Sequence, residues 1–337
     1  MVFWGVFTLL LVVTLLFLMV IRQVTVMPGV SFRGPLPPLT EHEIAVRDRL
    51  RRDVETLAGE IGERNVFTPA KLNQAADFIE REFSAAGFRV ARQSYDVAGI
   101  TCFNLEVELS GNDRADEIVI VGAHYDSVHG CPAANDNASG VAGMLALARA
   151  FANRQPARTL RFVAFANEEP PHFWTENMGS LVYARRCRRR GENVVGMFSL
   201  ETIGYYSDRR GSQKYPFPLN LFYPSTGNFV GFAGNTASGE LVRETVGRFR
   251  ARAAFPSQGA VLPAFVREAG WSDHWSFWQQ GYPALMVTDT APFRYPYYHT
   301  PNDKPDQLDY DRMARVVLGL EKVIADLIEA KQPDLHE

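Results

Sequence analysis

The longest apolar stretch comes first. Residues 2–21 run for twenty positions without a charge. As a helix this is about 30 Å, the thickness of a bilayer core. The charged start of a signal peptide is missing and no small-x-small cleavage site follows, so the pattern predicts an uncleaved transmembrane anchor over residues 1–23. Pro28, Pro35, Pro37 and Pro38 with two glycines predict a stiff linker over residues 24–40. Apolar residues at Ile44, Val46, Leu50, Val54 and Leu57 then predict a helix over roughly 41–60. Pro69 opens a second helix that stops at Gly87. Strand-like runs follow at 89–97, 103–109, 117–123, 159–165, 194–200, 219–223 and 283–288. Helical patterns occupy 138–151, 179–190, 240–252 and 309–330. This alternation predicts an α/β fold, a mostly parallel central β-sheet flanked by helices on both faces, in one domain over residues 41–337.

Composition narrows the classes. With 46% hydrophobic residues the 337-residue chain can bury a large core and is not disordered. Lys and Arg total 35 against 38 Asp and Glu, which is not the basic footprint of a nucleic-acid binder. The cluster Arg185, Arg186, Arg188, Arg189 and Arg190 reads as a solvated helix face, with a contact to anionic lipid headgroups as the alternative. Three cysteines make no disulfide scaffold, though one pair is possible. Cys131 lies between His124 and Asp136, but without a CxxC or His-Cys pairing it reads as a small buried residue.

Candidate chemistry gathers at predicted strand ends, where α/β sheets bind their ligands. His124 and Asp126 follow one apolar run, Glu168 and Glu169 another, and Glu201 a third. In an extended segment, residues two apart face the same way, so Asp126 can accept a hydrogen bond from the His124 ring and fix its tautomer. Asp136 precedes a helix, as an ordinary N-cap would, but a loop carboxylate can also offer one oxygen to each of two metals. Glu168 and Glu169 stand before Pro170-Pro171, which keep the chain extended. One could bind metal while the other accepts a proton from the attacking water. His299 sits in an aromatic loop after Tyr298.

The segments Gly-Ala-His124-Tyr-Asp126-Ser and Ala-Asn-Asp136-Asn-Ala-Ser-Gly resemble the co-catalytic zinc aminopeptidases, the group that includes aminopeptidase Y and the glutamate carboxypeptidase type. Asn-Glu168-Glu169, Ser-Leu-Glu201-Thr-Ile-Gly, Ser272-Asp-His274 and Tyr298-His299-Thr-Pro extend the similarity in the same order, over roughly residues 70–325. The resemblance implies two zinc ions, with His124 and Glu201 on one, Glu169 and His299 on the other, and Asp136 bridging. It implies Glu168 as general base, Asp126 as the partner of His124, and Tyr298 as an oxyanion donor. The activity it implies is release of N-terminal residues from peptides by a metal-bridged hydroxide, in an extracytoplasmic domain. The sequence departs from the group where Glu201 replaces the commoner aspartate and where Pro-Pro-His-Phe-Trp follows Glu169. Three other readings remain: a one-zinc glutaminyl cyclase on a similar scaffold, a carboxypeptidase, and a non-catalytic receptor.

Overall fold

The computed structural model describes residues 19, 21–263 and 265–329. The predicted anchor falls for the most part outside these residues. Among the described residues no helix is long and apolar enough to cross a membrane.

Helix α1 (Glu41–Val54) is fixed at its start by a capping box: the Thr40 side chain accepts from the Glu43 amide, and the Glu43 carboxylate accepts from the Thr40 amide. The chain coils on through a wider π-type turn, Glu55–Ile61. Helix α2 (Pro69–Ala85) opens on proline. Then come β1 (Ala91–Val97), β2 (Ile100–Leu109), β3 (Arg114–His124), α3 (Gly140–Phe151), β4 (Arg158–Phe165), α4 (Gly179–Arg189) and β5 (Asn193–Glu201). The second half supplies β6 (Val230–Asn235), α5 (Gly239–Arg252), β7 (Ser257–Leu262), the short α6 (His274–Trp278), β8 (Ala284–Thr288) and α7 (Tyr310–Glu329).

The eight strands form one sheet in the order β1-β2-β4-β3-β5-β8-β6-β7. Four of the seven strand pairings in this sheet are parallel, in agreement with the expected parallel majority, and three are antiparallel. Its centre is parallel, with β3 beside β4 and β5, and β5 beside β8. The β1–β2, β2–β4 and β6–β8 pairs are antiparallel. The β1–β2 reversal needs only Ala98 and Gly99, both at positive φ, which is the tight turn an antiparallel hairpin requires.

Alternation along β3 divides the core. Val119, Val121 and Ala123 join a large apolar cluster with α1, α2, α3, α5 and α7. Ile118 and Ile120 face the other way, against Tyr183 and Cys187 of α4 and Phe277 of α6. Helices therefore cover both faces, as the alternation of elements predicts.

One sequence expectation fails locally, and two strands had none. Residues 219–223 are not a strand; Leu219–Leu221 is a 3-10 turn behind Pro216 and Pro218, which have no amide to give a ladder. Strands β6 and β7 were not foreseen, because Gly231, Gly234 and Gly259 interrupt their apolar pattern.

The proline-rich stretch expected as a linker lies along the domain. Val24 packs with Leu262 and Ala269. The Arg250 guanidinium donates to the carbonyls of Met27, Pro28 and Gly29. The β7 amide of Ser257 donates to the Ser31 hydroxyl, and Arg315 binds the Pro37 carbonyl. The segment thus covers the edge of the sheet at β7.

One close approach sets the position of α3. A Cβ on Gly140 would collide with the Leu200 carbonyl of β5 and with the Asn137 side chain. Gly140→Ala is expected to lower stability by about 1–3 kcal/mol, the usual range for overpacking, read as a lower midpoint in chemical denaturation.

Candidate metal centre

Strands β3, β4 and β5 run parallel and end at one edge, and each delivers a donor there. β3 ends on His124, β5 ends on Glu201, and Glu168 and Glu169 follow shortly after β4. The chain turns sharply around them. Asn167 before Glu168, Thr202 after Glu201, and His299 itself all have positive φ. Such non-glycine positions cost on the order of 1–3 kcal/mol each and persist where surroundings hold them.

Asp136 lies between the two histidines. Its Oδ1 is 3.3 Å from His124 Nε2 and its Oδ2 is 3.0 Å from His299 Nε2. Glu201 approaches His124 Nε2 at 3.2 Å, and Glu169 approaches His299 Nε2 at 3.3 Å. The structure thus brings all five sequence-predicted donors together as two triads sharing Asp136: His124, Asp136, Glu201 and Asp136, Glu169, His299. Within each triad the donor atoms lie within 4.8 Å of one another. Glu168 belongs to neither triad and reaches to 3.9 Å from His124 Nε2. Asp126 stands 3.4 Å from His124 Nδ1, and its two oxygens accept the backbone amides of Glu168 and Glu169. Tyr298 stacks its ring on His299, with centroids 3.9 Å apart.

The electrostatics are those of buried carboxyl groups crowded around two imidazoles. Burial, reinforced by Asp136, pushes Glu169 up to about 7. Burial also raises Glu168 well above the carboxylate range, with Glu201, Glu169 and Asp273 adding to the push. Asp273, wholly buried, is pushed up to about 7 by the same desolvation. Burial opposes charge on the histidines, but Glu201 and Glu168 hold His124 well above its ordinary value, and Asp136 and Glu169 raise His299 to about 10. His124 Nε2, His299 Nε2 and Glu169 Oε1 are buried without hydrogen-bond partners. Orphaned buried polar atoms are costly. A divalent cation in each triad would satisfy them, and a mixed imidazole and carboxylate set suits such ions.

A second set of residues holds the donors and was not assigned roles from the sequence. Asp303 accepts the amides of Asn135 and Asp136 and the hydroxyl of Tyr295. Asn137 donates to the Leu200 carbonyl and accepts the amides of Gly140 and Thr202, tying the Asp136 loop to the Glu201 strand end. Ser272 donates to Glu201 at 2.8 Å and so fixes the longer side chain that replaces aspartate. Fully buried Arg64 donates to the carbonyls of Tyr125, Pro132 and Ala133, pinning the loop between His124 and Asp136. The Asn-Asp-Asn segment and Ser272 stood inside quoted motifs. Asp303 and Arg64 had no local signal, since their partners lie far away in sequence.

The remaining candidates fall outside the triads. Cys131 is buried and joins no metal-holding group among the described residues, and all three cysteines are free. His274 is buried, pushed down to about 4 by that burial, with Nε2 at 2.6 Å from the Ala269 carbonyl. His172 is half-buried, beyond Glu169.

The sequence model described as peptidase family M28 matches residues 104–324. The Escherichia coli (strain K12) protein YfbL is 34% identical over 319 residues, covering 91% of this chain and 97% of its own. A probable zinc metalloprotease of Pyrenophora teres f. teres is 29% identical over 252 residues, 65% of this chain but 51% of its own length. The chain therefore spans about half of that fungal relative. Among solved structures, BSAP, a zinc aminopeptidase from Bacillus subtilis, superposes with a TM-score of 0.67 at 14% identity, over 85% of this chain and 96% of its own. A glutaminyl cyclase from Fimbriiglobus ruber gives 0.61 at 22%, over 87% and 97%. At such identities these two likenesses concern the fold.

Two outcomes follow from the centre. Asp303→Asn keeps every donor but sets an amide against the Asn135 and Asp136 N–H groups; divalent-metal affinity is expected to fall about 10–100-fold, as for other residues that orient ligands, measured by calorimetric titration. In metal-free protein, Glu169 and Asp273 carry folded pKa values above their unfolded ones, so the folded state holds protons longer than the unfolded state. His299, raised to about 10, acts in the same sense at higher pH. Stability of the metal-free chain should therefore fall as pH rises from about 4.5 through 7 and beyond. Saturating metal should flatten or reverse that slope in a denaturation series.

Proposed function

The chain belongs to peptidase family M28 and is a metallo-exopeptidase, and we propose that it is a two-zinc aminopeptidase that releases N-terminal residues from peptides. The observation that carries this reading is Asp136, whose two oxygens each face a different histidine, and each histidine stands beside its own glutamate. His124, Asp136 and Glu201 would hold one zinc; Asp136, Glu169 and His299 would hold the other. Zinc bound there would supply Lewis acidity, polarising the scissile carbonyl and lowering the pKa of water.

The chain's own residues would do the rest. Glu168, outside both triads, takes the proton of the attacking water and returns it to the leaving amine. Asp126 orients the His124 ring while anchoring the backbone of Glu168 and Glu169, so base and donors move as one unit. Burial and the surrounding carboxylates keep the Tyr298 hydroxyl protonated, fit to donate to the developing oxyanion. A largely apolar cavity of about 130 Å³ opens beside Glu201 and Tyr298, walled by Tyr215, Tyr223, Phe229, Phe232 and Trp271. It favours a large apolar side chain at the substrate N-terminus. The uncharged residues 2–21 support a membrane anchor; an extracytoplasmic catalytic domain is what the resemblance to the family implies.

The purified chain should cleave leucyl- and phenylalanyl-anilides faster than glutamyl-anilide, lose activity to a chelator, and regain it with zinc. N-acetylation should block the same substrates; equal cleavage of blocked and free substrates would refute the aminopeptidase reading. Glu168→Gln should lose about 10²–10⁴ in kcat with zinc content unchanged. Undiminished turnover in that variant would remove Glu168 from the mechanism.

A further inference from the structure

Four large apolar side chains stand in water on two neighbouring loops. Phe217 is 82% exposed, Leu221 65% and Phe222 39%, around the 3-10 turn Leu219–Leu221; Phe265 is 80% exposed beside Val266. Isolated exposed hydrophobes are common and need no account. These are not isolated. Leu219 and Val266, from the middle of the same two loops, pack against the cluster of Val24, Leu262 and Ala269. Val24 lies three residues beyond the uncharged run of residues 2–21. The chain therefore leaves the proposed anchor directly onto these loops, leaving no free spacer between them. Arg22, two residues before Val24, is exposed and suited to lipid phosphates.

The same loops wall the apolar cavity. Pro216, Leu219, Val266 and Trp271 line it, and it reaches inward to Glu201 and Tyr298. Trp271 is itself partly exposed, an aromatic of the kind that settles at headgroup depth.

We propose that the loops bearing Phe217, Leu221, Phe222 and Phe265 dip into the interfacial layer of the bilayer that holds residues 2–21, so that the cavity opens at the lipid surface. This rests on the anchor reading, not on the aminopeptidase activity. Three independent features converge on it: the exposed aromatic and aliphatic tips, the docking of Val24 between the loops that carry them, and the short distance in sequence from Val24 to the uncharged run. Its consequence is that peptides partitioned on the membrane, rather than free in solution, have the shorter path to the centre.

The test uses the full chain in vesicles of phosphatidylethanolamine and phosphatidylglycerol. Phe265→Cys and Phe217→Cys are labelled with an environment-sensitive dye, which the three native cysteines, all buried, should not take up. Ser94→Cys on β1, at the opposite edge of the sheet, is the reference. The labels at 265 and 217 should shift to the blue, lose most of their emission to nitroxide-bearing lipid, and resist aqueous iodide; the label at 94 should do the reverse. A chain that floats with vesicles while its 265 and 217 labels behave like the 94 label overturns the proposal and leaves the anchor standing. Labels shielded from iodide yet unaffected by nitroxide lipid overturn it in favour of contact between two copies. A chain that does not float overturns both anchor and proposal. None of these readouts involves peptide cleavage, so failure of the aminopeptidase reading would be seen separately.

Discussion

Everything at the centre follows from crowding several carboxylates into a largely buried space. Asp126, Asp136, Glu168, Glu169, Glu201 and Asp273 are all buried around two imidazoles. Like charges in a low-dielectric setting repel strongly. The fold meets this by mechanical restraint. Strand ends bring the groups in, left-handed turns at Asn167 and Thr202 aim them, and backbone amides are used as clamps on Asp126 and Asp303. Such an arrangement is unfavourable by itself and becomes favourable when positive charge enters it. The rigidity is thus a property of the scaffold, and the affinity a property of the unbalanced charge.

Asp136 is the point where the restraint is tightest. Its amide is held by Asp303 from the far end of the chain, and its neighbours Asn135 and Asn137 hold β8 and β5 through Asp289 and Leu200. The segment has little freedom to shift without pulling on the whole edge of the sheet. Glu201 illustrates a compensated change. A glutamate at the end of β5 is one methylene longer than the aspartate of similar enzymes, and Ser272, itself bonded to Ser199, takes up the carboxylate and sets its reach.

Much of this is legible in the sequence alone. The central strands are continuous apolar runs, and a donor at the end of each is a pattern visible in one dimension. The five donors, Glu168 and Asp126 could be named because each stands in a short local motif. What stayed hidden has no local mark. Asp303 binds a segment 167 and 168 residues upstream, and Arg64 binds a loop more than sixty residues downstream. Glycine dilutes the apolar signal of β6 and β7, while the apolar residues of 219–223 imitate a strand that the prolines before them forbid. The antiparallel β1–β2 pairing was missed for a related reason: Ala98-Gly99 closes a two-residue hairpin without the asparagine or aspartate that usually announces one.

The covered sheet edge has a consequence in time. Residues 23–31 are made early, yet the surfaces that receive them belong to α5 and β7, more than two hundred residues later. The strap cannot settle until the far half of the chain has been synthesised and has folded. Until then β7 does not exist and the strap has nothing to lie on; afterwards, its docking closes the last open margin on that side. The first part of the domain to leave the ribosome is in this sense among the last to find its place.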